Sequence, residues 1–255
     1  MPENATLLPE LALASSIGAR YVAGVDEVGR GALAGPVTVG VTVFDLYESG
    51  LEYCPTTGVV EGLDGVRDSK LLTAAARQRW APVVLERAAS CSVQHREAAR
   101  IDQIGITAAL REAGLAGLDE VENSLGLAVD AVILDGSHDW LTGGASPRVH
   151  PLVKADVKAL SVASASVVAK VRRDALMADL AQQHPGYGWE SNRGYGSAAH
   201  RAALVERGLT PQHRRSWKLV PGGHSLRDAA LRAPSAGDSG RHVASSVPPQ
   251  ERPVG

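Results

Sequence analysis

Cysteine is scarce in this chain of 255 residues, which contains only Cys54 and Cys91 and no CxxC pair. Two cysteines are too few for a disulfide framework, and the spacing of zinc fingers is absent. Aromatic residues are equally rare, at 4% with a single Phe, so the core must be filled by Val, Ala and Leu. Such a core suits helices packed on a sheet, and 44% hydrophobic residues are enough to build one.

Long apolar runs are also missing, since none reaches the roughly 18 residues that a membrane-spanning helix needs. The N-terminus lacks the basic and then apolar pattern of a secretory signal. Together with the low cysteine content, these absences predict a soluble, cytoplasmic protein.

Charge is unevenly distributed, although the net charge of the chain is only -2. Residues 150–220 contain 11 Lys and Arg against 5 Asp and Glu, a net charge of +6, and the remainder carries -8. A basic surface of this kind is what a protein needs to hold phosphates. Ordinary charge on the surfaces of helices explains the same numbers, so both interpretations stay open.

Strand and helix patterns alternate along the chain. Strands are predicted over RYVAGVDEVG, VTVGVTVF, SCSVQHREA, AVDAVILDG and HPLVKAD. A helix is predicted over AAARQRWAPVVLERA, capped by Thr73 and interrupted or kinked at Pro82. Two more are predicted over IDQIGITAALREAGLAGL and SVASASVVAKVRRDALMADLAQQH, the latter with small residues that allow close packing on a sheet. This alternation predicts an α/β sandwich.

Changes in composition predict where the domain begins and ends. Residues 1–18 are weakly patterned and are expected to form an N-terminal extension, either a tail or a short helix. Residues 45–62 contain Gly, Pro and Thr without a period and are predicted to be a loop insertion. Residues 221–255 are rich in Ser, Gly, Pro and Arg and are predicted to be a disordered tail. The functional domain is therefore expected within residues 19–220.

Four carboxylates follow predicted strands. Asp26 and Glu27 come just before Gly29-Arg30-Gly31, Asp135 ends the run AVILDG, and Asp156 follows LVKA. Open α/β sheets bind ligands outside the carboxyl ends of their strands, so these acids can share one crevice. An Asp before a Gly is often only a turn residue. Four such residues together, three of them after runs that must be buried, favour a shared site.

Acids in such a crevice point to a site for hard cations. Mg²⁺ and Mn²⁺ prefer oxygen ligands, and clustered carboxylates repel one another unless cations lie between them. Two metals about 3.5–4 Å apart would activate a water and stabilise the leaving oxygen of a phosphodiester. Neighbouring strand residues point to opposite faces, so Asp26 and Glu27 are expected to share the site only if the backbone turns there. Gly29 and Gly31 would make such a turn easy.

The segment YVAGVDEVGRGALAGPV closely resembles the opening motif of the bacterial ribonuclease HII family. The resemblance continues in order through DSK at residues 68–70, DG at 135–136 and KAD at 154–156. It is completed by SASVVAKVRRD, HPGYGWESNRGYG, His200 and PQHRRSW, and it covers roughly residues 19–220. Arg193 stands where Lys is usual in NRGYG, and Trp217 stands where Phe is usual. Any one of these segments alone is weak evidence for the family, but the full set in this order is highly specific for it.

This resemblance implies an RNase H-like fold, a mixed five-stranded sheet flanked by helices with a helical C-terminal part. It implies an endonuclease that hydrolyses the RNA strand of RNA–DNA hybrids and cuts on the 5′ side of single ribonucleotides in duplex DNA. The products would be 3′-hydroxyl and 5′-phosphate ends, and the reaction would use two metal ions, Mn²⁺ or Mg²⁺. The catalytic, metal-binding acids of the family fall on Asp26, Glu27, Asp135 and Asp156.

The resemblance also implies residues that bind the substrate. Backbone groups of Gly29, Arg30 and Gly31 would recognise the ribose 2′-hydroxyl, the only sugar group that separates RNA from DNA. Tyr195 would stack on the sugar at the RNA–DNA junction. Candidates for phosphate contacts are Lys70, Lys154, Lys170, Arg172, Arg173 and Arg193. Asp174 is expected to pair with a nearby Arg or Lys rather than to bind metal, and the protein is expected to be a monomer.

Three other functions remain open from the residues alone. A related nuclease or recombinase that acts only on DNA would have the same acids but no use for a group that recognises the 2′-hydroxyl. A non-catalytic module that binds hybrids would not need all four carboxylates. A metabolic α/β enzyme that binds Mg²⁺–phosphate lacks support, because neither a GxxxxGK[ST] loop nor a GxGxxG run opening a helix occurs. A contact between the tail and a replication clamp is a further possibility.

Overall fold

The fold is described from a computed structural model, for residues 4–47, 51–146 and 148–219. The predicted disordered tail, residues 221–255, lies outside the described residues. The strands are β1 (Tyr21–Val28), β2 (Val37–Asp45), β3 (Ser90–Arg96), β4 (Ala131–Asp135) and β5 (Val149–Leu152). The helices are α1 (Leu8–Ile17), α2 (Ala74–Arg87), α3 (Ala98–Ile104), α4 (Ile106–Leu125), α5 (Ala155–Lys158), α6 (Leu160–Gln183), α7 (Trp189–Asn192) and α8 (Ala198–Arg207).

The five strands form one mixed sheet in the order β3-β2-β1-β4-β5. β1 lies at its centre, antiparallel to β2 and parallel to β4, while β5 runs parallel to β4 at one edge. This arrangement confirms the predicted mixed five-stranded sheet flanked by helices. It also brings the carboxyl ends of β1 and β4 together at one end of the sheet.

Both faces of the sheet are covered, as the apolar runs of β1 and β2 require. On one face Val25 and Val39 pack in a cluster with Leu110 of α4. On the other face Val22 and Phe44 pack against residues of α6, α2 and the N-terminal segment. A third cluster joins the end of α6 to α7 and α8, which form the predicted helical C-terminal part.

Helix α6 lies unusually close to the centre of the sheet. A Cβ atom on Gly24 of β1 would be 2.2 Å from the backbone carbon of Ser161, so only glycine fits there. The facing turns of α6 are built from small residues, Ser161, Ala163 and Ala165 among them, and these are fully buried. The predicted close packing of this helix on the sheet is therefore confirmed.

The N-terminal segment is part of the packed structure. Ala5 and Leu7 are buried in the same cluster as α6. The carbonyl of Thr6 accepts a hydrogen bond from the Leu160 N–H (2.9 Å), and Glu10 Oε1 accepts from Ser161 N and Oγ (2.8 and 2.6 Å). The first N–H groups of a helix lack partners within it. The predicted extension thus caps the start of α6 with a backbone carbonyl and a carboxylate.

Several local predictions differ from the structure. The Thr73 side chain caps α2 as predicted, accepting from Ala76 N at 3.2 Å, but the helix continues through Pro82. The single helix predicted after residue 101 is two helices, because Gly105 has a φ of +83° between α3 and α4. The insertion, where described at 45–47 and 51–62, contains turns and an isolated bridge between Tyr53 and Val60. Throughout the described ranges, no helix is long and apolar enough to cross a membrane.

Candidate active site

A cavity of about 210 Å³ opens where β1 and β4 end. It is lined by Asp26, Glu27, Val28, Gly29, Arg30, Gly31, Ser69, Lys70, Asp135, Ser166, Lys170 and Tyr195. The fold therefore brings together three of the four predicted acids, the Gly-Arg-Gly segment, two of the candidate lysines and the candidate stacking tyrosine. Asp156 lies beside this cavity rather than in its lining.

The end of β4 explains how neighbouring residues of β1 reach one cavity. Val25 and Leu134 form the last pair between β1 and β4, which places Asp135 level with Asp26. β1 continues without a turn to Val28, still paired with β2, so Asp26 and Glu27 point to opposite faces of the sheet. Both line the cavity because the sheet opens where β4 stops. The backbone turn expected as the condition for a shared site is absent, although both side chains line the cavity.

Asp26 lies on the α6 face and is almost completely buried. Burial first, and then the charge of Glu27, raise the pKa of Asp26 well above its ordinary value. A hydrogen bond with Ser166 of α6 opposes this shift. Ser166 Oγ is in turn 2.8 Å from Ser69 Oγ. Neither serine was identified from the sequence, where serines in a helix carry no signal of a site.

Glu27 lies on the opposite face, toward α4. Burial raises the pKa of its carboxyl, and Arg30, whose Nη1 donates to Oε1 at 3.2 Å, opposes the shift. Its other oxygen, Oε2, is buried and has no hydrogen-bond partner. Glu27, Arg30 and Asp135 also line a second cavity of about 450 Å³, which Arg111 and His138 border. A buried anionic oxygen without a partner is costly unless a ligand satisfies it.

Asp135 and Asp156 are held as neighbours by the start of α5. Asp135 Oδ1 accepts a hydrogen bond from Ala155 N at 2.8 Å. Burial, followed by the charge of Asp156, raises the pKa of Asp135. The prediction that Asp156 ends a strand is wrong. β5 ends at Leu152, and Lys154 takes a left-handed conformation (φ +58°) that starts α5, so Asp156 sits in the first turn of that short helix.

Lys70 places a positive charge among these acids. Its Nζ lies 3.0 Å from Asp156 Oδ2 and 3.6 Å from Asp68 Oδ1. Burial disfavours the charged lysine, but the hydrogen bond to Asp156 and the charge of Asp68 outweigh it, so the pKa of Lys70 is raised. The charge of Lys70 also opposes the rise in the pKa values of Asp26, Glu27 and Asp135.

The acids fit a divalent cation, although they do not form a closed cage. No three His, Cys, Asp or Glu side chains within the described parts of the chain are arranged as a preformed metal site. However, Glu27 Oε2 lacks a partner, and the pKa values of Asp26, Glu27 and Asp135 are all raised by burial and mutual repulsion. Mg²⁺ typically takes one or two carboxylates and completes its shell with waters and substrate phosphate oxygens. The donor set matches that requirement.

Two fully buried arginines hold the loop that contains Gly29-Arg30-Gly31. Arg214 donates to the carbonyls of Gly29 (2.7 Å) and Arg30 (2.9 Å), and Arg173 donates to the carbonyl of Pro36 (2.9 Å). Gly29 has a φ of +82°, and a Cβ there would lie 2.1 Å from Arg173 Nε. Arg173 was predicted to contact phosphate. That prediction is wrong, because its side chain is buried and its donors are directed at backbone carbonyls.

The remaining basic candidates differ in position. Lys170 lines the cavity, but its Nζ is 2.6 Å from Asp174 Oδ1, which confirms the predicted pairing of Asp174. Arg193 lies at the same carboxylate, 4.0 Å from Nε to Oδ2. Lys154 is exposed at the start of α5, outside the cavity lining. Arg172 borders a different cavity beside β3.

Tyr195 projects into the cavity from the loop between α7 and α8. Its side chain is 39% exposed, and the Arg173 guanidinium lies 5.7 Å from the centre of its ring. The preceding residue, Gly194, accepts hydrogen bonds through its carbonyl from the N–H groups of Leu33 (2.8 Å) and Ala34 (3.2 Å). The tyrosine loop and the Gly-Arg-Gly loop are therefore joined through their backbones.

Comparisons with known proteins agree with this geometry. The family model of ribonuclease HII matches residues 23–220. The chain is 43% identical over 218 residues to ribonuclease HII of Streptomyces avermitilis, covering 86% of this chain and 85% of the relative. It is 44% identical over 205 residues to ribonuclease HII of Roseobacter denitrificans, covering 80% and 93%.

Solved structures show the same fold. Ribonuclease H2 from Pyrococcus horikoshii superposes with a TM-score of 0.60 at 25% identity, covering 78% of this chain and 94% of that one. Bst-RNase HIII in complex with Mn²⁺ superposes with a TM-score of 0.61 at 22% identity, covering 88% and 73%. The chain therefore belongs to the ribonuclease HII family, and it is an enzyme of the ribonuclease H class.

Proposed function

We propose that this enzyme cuts the RNA strand of RNA–DNA hybrids and nicks duplex DNA on the 5′ side of single ribonucleotides. One observation carries the proposal. The carboxylates of Asp26, Glu27 and Asp135 line the same cavity as the Gly-Arg-Gly loop and Tyr195. Carboxylates alone would serve the cleavage of any phosphodiester. Their combination with a glycine loop and an aromatic ring links cleavage to recognition of a ribose.

The proposed reaction is hydrolysis of one phosphodiester. A water oxygen bonds to the phosphorus on the 5′ side of the ribonucleotide and loses a proton. The bond from phosphorus to the 3′ oxygen of the preceding nucleotide breaks, and that oxygen takes up a proton. The products are a 3′-hydroxyl end and a ribonucleotide that keeps its 5′-phosphate.

Asp26, Glu27, Asp135 and Asp156 are the residues that would hold Mn²⁺ or Mg²⁺. When bound, two such ions supply Lewis-acid stabilisation of the phosphate and lower the pKa of the attacking water. The protein contributes a partly buried arrangement of acids, with Asp26 enclosed on the α6 face of β1 and Glu27 hydrogen-bonded to Arg30 on the other face. Lys70, which is hydrogen-bonded to Asp156, would contact an oxygen of the incoming phosphate.

Ribose selection is assigned to the loop of Gly29, Arg30 and Gly31. Because Arg214 fixes the Gly29 and Arg30 carbonyls, the loop's backbone groups are preorganised rather than adaptable. A deoxyribose would leave the polar backbone groups that face the sugar without a partner, which is the strongest means of rejecting an analogue. Tyr195 would stack on the sugar at the junction. Lys154, Lys170 and Arg193 would contact flanking phosphates.

A direct test compares cleavage of an RNA–DNA hybrid in Mg²⁺, in Mn²⁺ and in EDTA, beside an all-DNA duplex. We expect cleavage of the hybrid with either metal and none in EDTA. Asp135→Asn should lose activity, whereas Asp119→Asn, a substitution of an exposed acid on α4, should retain it. Full activity of Asp135→Asn would contradict the proposed metal site. Cleavage of the all-DNA duplex would favour the alternative of a nuclease that acts on DNA.

Two further proposals concern the oligomeric state of the enzyme and its contact with a replication clamp. The enzyme is proposed to act as a monomer on its duplex. A ribonuclease HII from Archaeoglobus fulgidus has been solved in a complex with PCNA, at 23% identity to this chain. A clamp contact of this enzyme would involve residues 221–255, which lie outside the described residues.

A further inference from the structure

A buried chain of hydrogen bonds runs from His213 through His200 to the backbone of Tyr195. His200 in α8 and His213 in the following segment are both fully buried. Their Nε2 atoms are 3.2 Å apart, and His200 Nδ1 lies 2.9 Å from the carbonyl oxygen of Tyr195. Neither histidine lines the cavity, so neither has a place in the proposed reaction itself.

The partners of the two rings fix where their protons lie. The indole N–H of Trp189 can only donate, and it lies 3.0 Å from His200 Nε2, so this nitrogen is an acceptor. The carbonyl of Tyr195 can only accept, so His200 Nδ1 carries the proton. His200 is therefore neutral, with its proton on Nδ1.

His213 has the opposite tautomer. Its Nδ1 accepts from the Thr210 N–H at 2.9 Å, so its proton lies on Nε2 and points to His200. Burial lowers the pKa of both histidines, that of His213 to about 4, which agrees with two neutral rings. The result is a one-way chain from Thr210 to Tyr195, in which the single Nε2 lone pair of His200 is shared between Trp189 Nε1–H at 3.0 Å and His213 Nε2–H at 3.2 Å.

This chain ends at the turn that presents the tyrosine ring. The Tyr195 carbonyl accepts a second hydrogen bond, from Ser197 N at 2.8 Å. The Ser197 side chain caps α8 by accepting from His200 N at 3.1 Å. His200 thus contacts both ends of the turn at residues 195–197, through its ring at the Tyr195 carbonyl and through its backbone N–H at the Ser197 side chain.

We propose that His200 is a positioning residue for substrate selection. Its Nδ1–H holds the Tyr195 carbonyl, and this keeps the tyrosine ring over the position of the ribose. The inference rests on the proposed function, since it needs Tyr195 to stack on the sugar at the junction. His213 and Trp189 act on the ring of His200 by fixing its tautomer and its plane.

Conservative substitutions of His200 distinguish a role in positioning Tyr195 from a role in packing the buried cluster. Asn places its amide nitrogen near the position of His Nδ1 and can donate to the Tyr195 carbonyl. Gln places its amide near Nε2, where it can contact Trp189 and His213 but cannot reach that carbonyl. His200→Asn should therefore keep the selectivity of the enzyme, and His200→Gln should lose it, while both leave a comparable defect in the buried cluster.

The experiment measures kcat/KM on a duplex with one ribonucleotide and on a long hybrid, for the wild type, His200→Asn and His200→Gln. Tyr195→Ala serves as the reference for loss of stacking, and melting temperature monitors folding. We expect His200→Gln to lose about tenfold more on the single-ribonucleotide duplex than on the hybrid, less than the roughly 100-fold that a misplacement of 1 Å can cost. In the Tyr195→Ala background this extra loss should vanish, because the two residues act through one contact.

The outcomes distinguish this inference from the function on which it rests. If the wild type leaves the single-ribonucleotide duplex uncut, the proposed function fails. If the wild type cuts both substrates and His200→Gln slows both equally, the function stands and the positioning role is overturned. The ¹⁵N NMR spectrum of the histidine side chains tests the inference in the wild type, without any substitution. A proton on His200 Nδ1 and on His213 Nε2 supports the inference, and a proton on His200 Nε2 overturns it.

Discussion

Tyr195 is the exposed ring to which the proposed function assigns a preference for single ribonucleotides. Among the described residues that line the cavity, it is the one aromatic side chain. Stacking on an aromatic ring contributes about 1–3 kcal/mol per base in single-strand binding. Tyr195→Ala should therefore slow cleavage at a single ribonucleotide at least about fivefold more than cleavage within a long RNA tract, a factor that corresponds to about 1 kcal/mol.

The matched control for this prediction is Tyr47→Ala, because Tyr47 is 66% exposed and does not line the cavity. Steady-state kinetics on the two substrates provide the measurement. Equal slowing of both substrates by Tyr195→Ala would argue against a stacking role.

Glu10 is a residue whose burial makes stability depend on pH. Burial raises the pKa of this carboxyl from 4.5 to about 7, against the hydrogen bonds from Ser161. The folded state therefore favours the neutral form. The contribution of Glu10 to stability is fully present below pH 4.5 and is lost as the pH rises through 7.

Replacing Glu10 by Gln should remove this dependence. At pH 8 we expect Glu10→Gln to have a higher free energy of unfolding than the wild type by up to about 3 kcal/mol, and the difference should vanish near pH 4.5. Urea unfolding at several pH values measures this, with Glu86→Gln at an exposed position of α2 as control. A variant that is less stable than the wild type at pH 8 would show that the carboxylate is needed as a cap for α6.

At the scale of elements, the contact between β1 and α6 determines the shape of the site. Asp26 on β1 and Ser166 on α6 come together because Gly24 of β1 and Gly40 of β2 let the helix approach the sheet. In Gly24→Ala, a Cβ 2.2 Å from the Ser161 backbone forces the two elements apart. Overpacking of a core typically lowers the free energy of unfolding by about 1–3 kcal/mol. We expect a loss at the upper end of this range, because the Ser161 backbone cannot rotate away from the added Cβ as a side chain could.

Thermal or urea unfolding of Gly24→Ala measures this cost, and activity should fall with it. Leu115→Ala, which shortens a half-exposed side chain on α4, is the control and should have a much smaller effect. Unchanged stability of Gly24→Ala would contradict the close packing of α6 on the sheet.

The elements that were predicted correctly have a strong local pattern. β1, β4 and α6 follow from their apolar runs and from small residues at regular spacing, and Asp26 and Asp135 were located by their position after such runs. Asp156 was assigned to a strand because LVKA looks extended. The left-handed conformation of Lys154, which starts a helix there, has no signal in the sequence, since such a conformation favours glycine.

Contacts between distant segments could not be predicted from the residues. Arg214 and Arg173 in a basic segment look like surface charges, yet each donates to carbonyls of a loop more than 130 residues away in sequence. Glu10, in a weakly patterned segment, caps a helix 150 positions later. Hydrogen bonds to backbone groups leave no periodic pattern, so only the folded structure reveals them.

At the scale of the whole molecule, not all of the unevenly distributed charge lies on the surface. Residues 150–220 carry the excess of positive charge, but Arg173 and Arg214 are buried within that count and stabilise loops. Lys170 also pairs with Asp174, whereas Lys154 is exposed, and the acids on β1 and β4 line the cavity. The proposed function assigns catalysis to the acids and substrate binding mainly to basic side chains.

The cavity is proposed to couple phosphodiester cleavage to the presence of a ribose. The most direct measurement maps the nick in an end-labelled DNA duplex that contains one ribonucleotide, in Mg²⁺ or Mn²⁺, beside the same duplex without it. We predict a single nick on the 5′ side of the ribonucleotide, with a 3′-hydroxyl end. The all-DNA duplex should be cut at least about 10⁴-fold more slowly, as expected for a site built to bind a hydroxyl. Nicking of both duplexes at similar rates, or on the 3′ side of the ribonucleotide, would contradict the account.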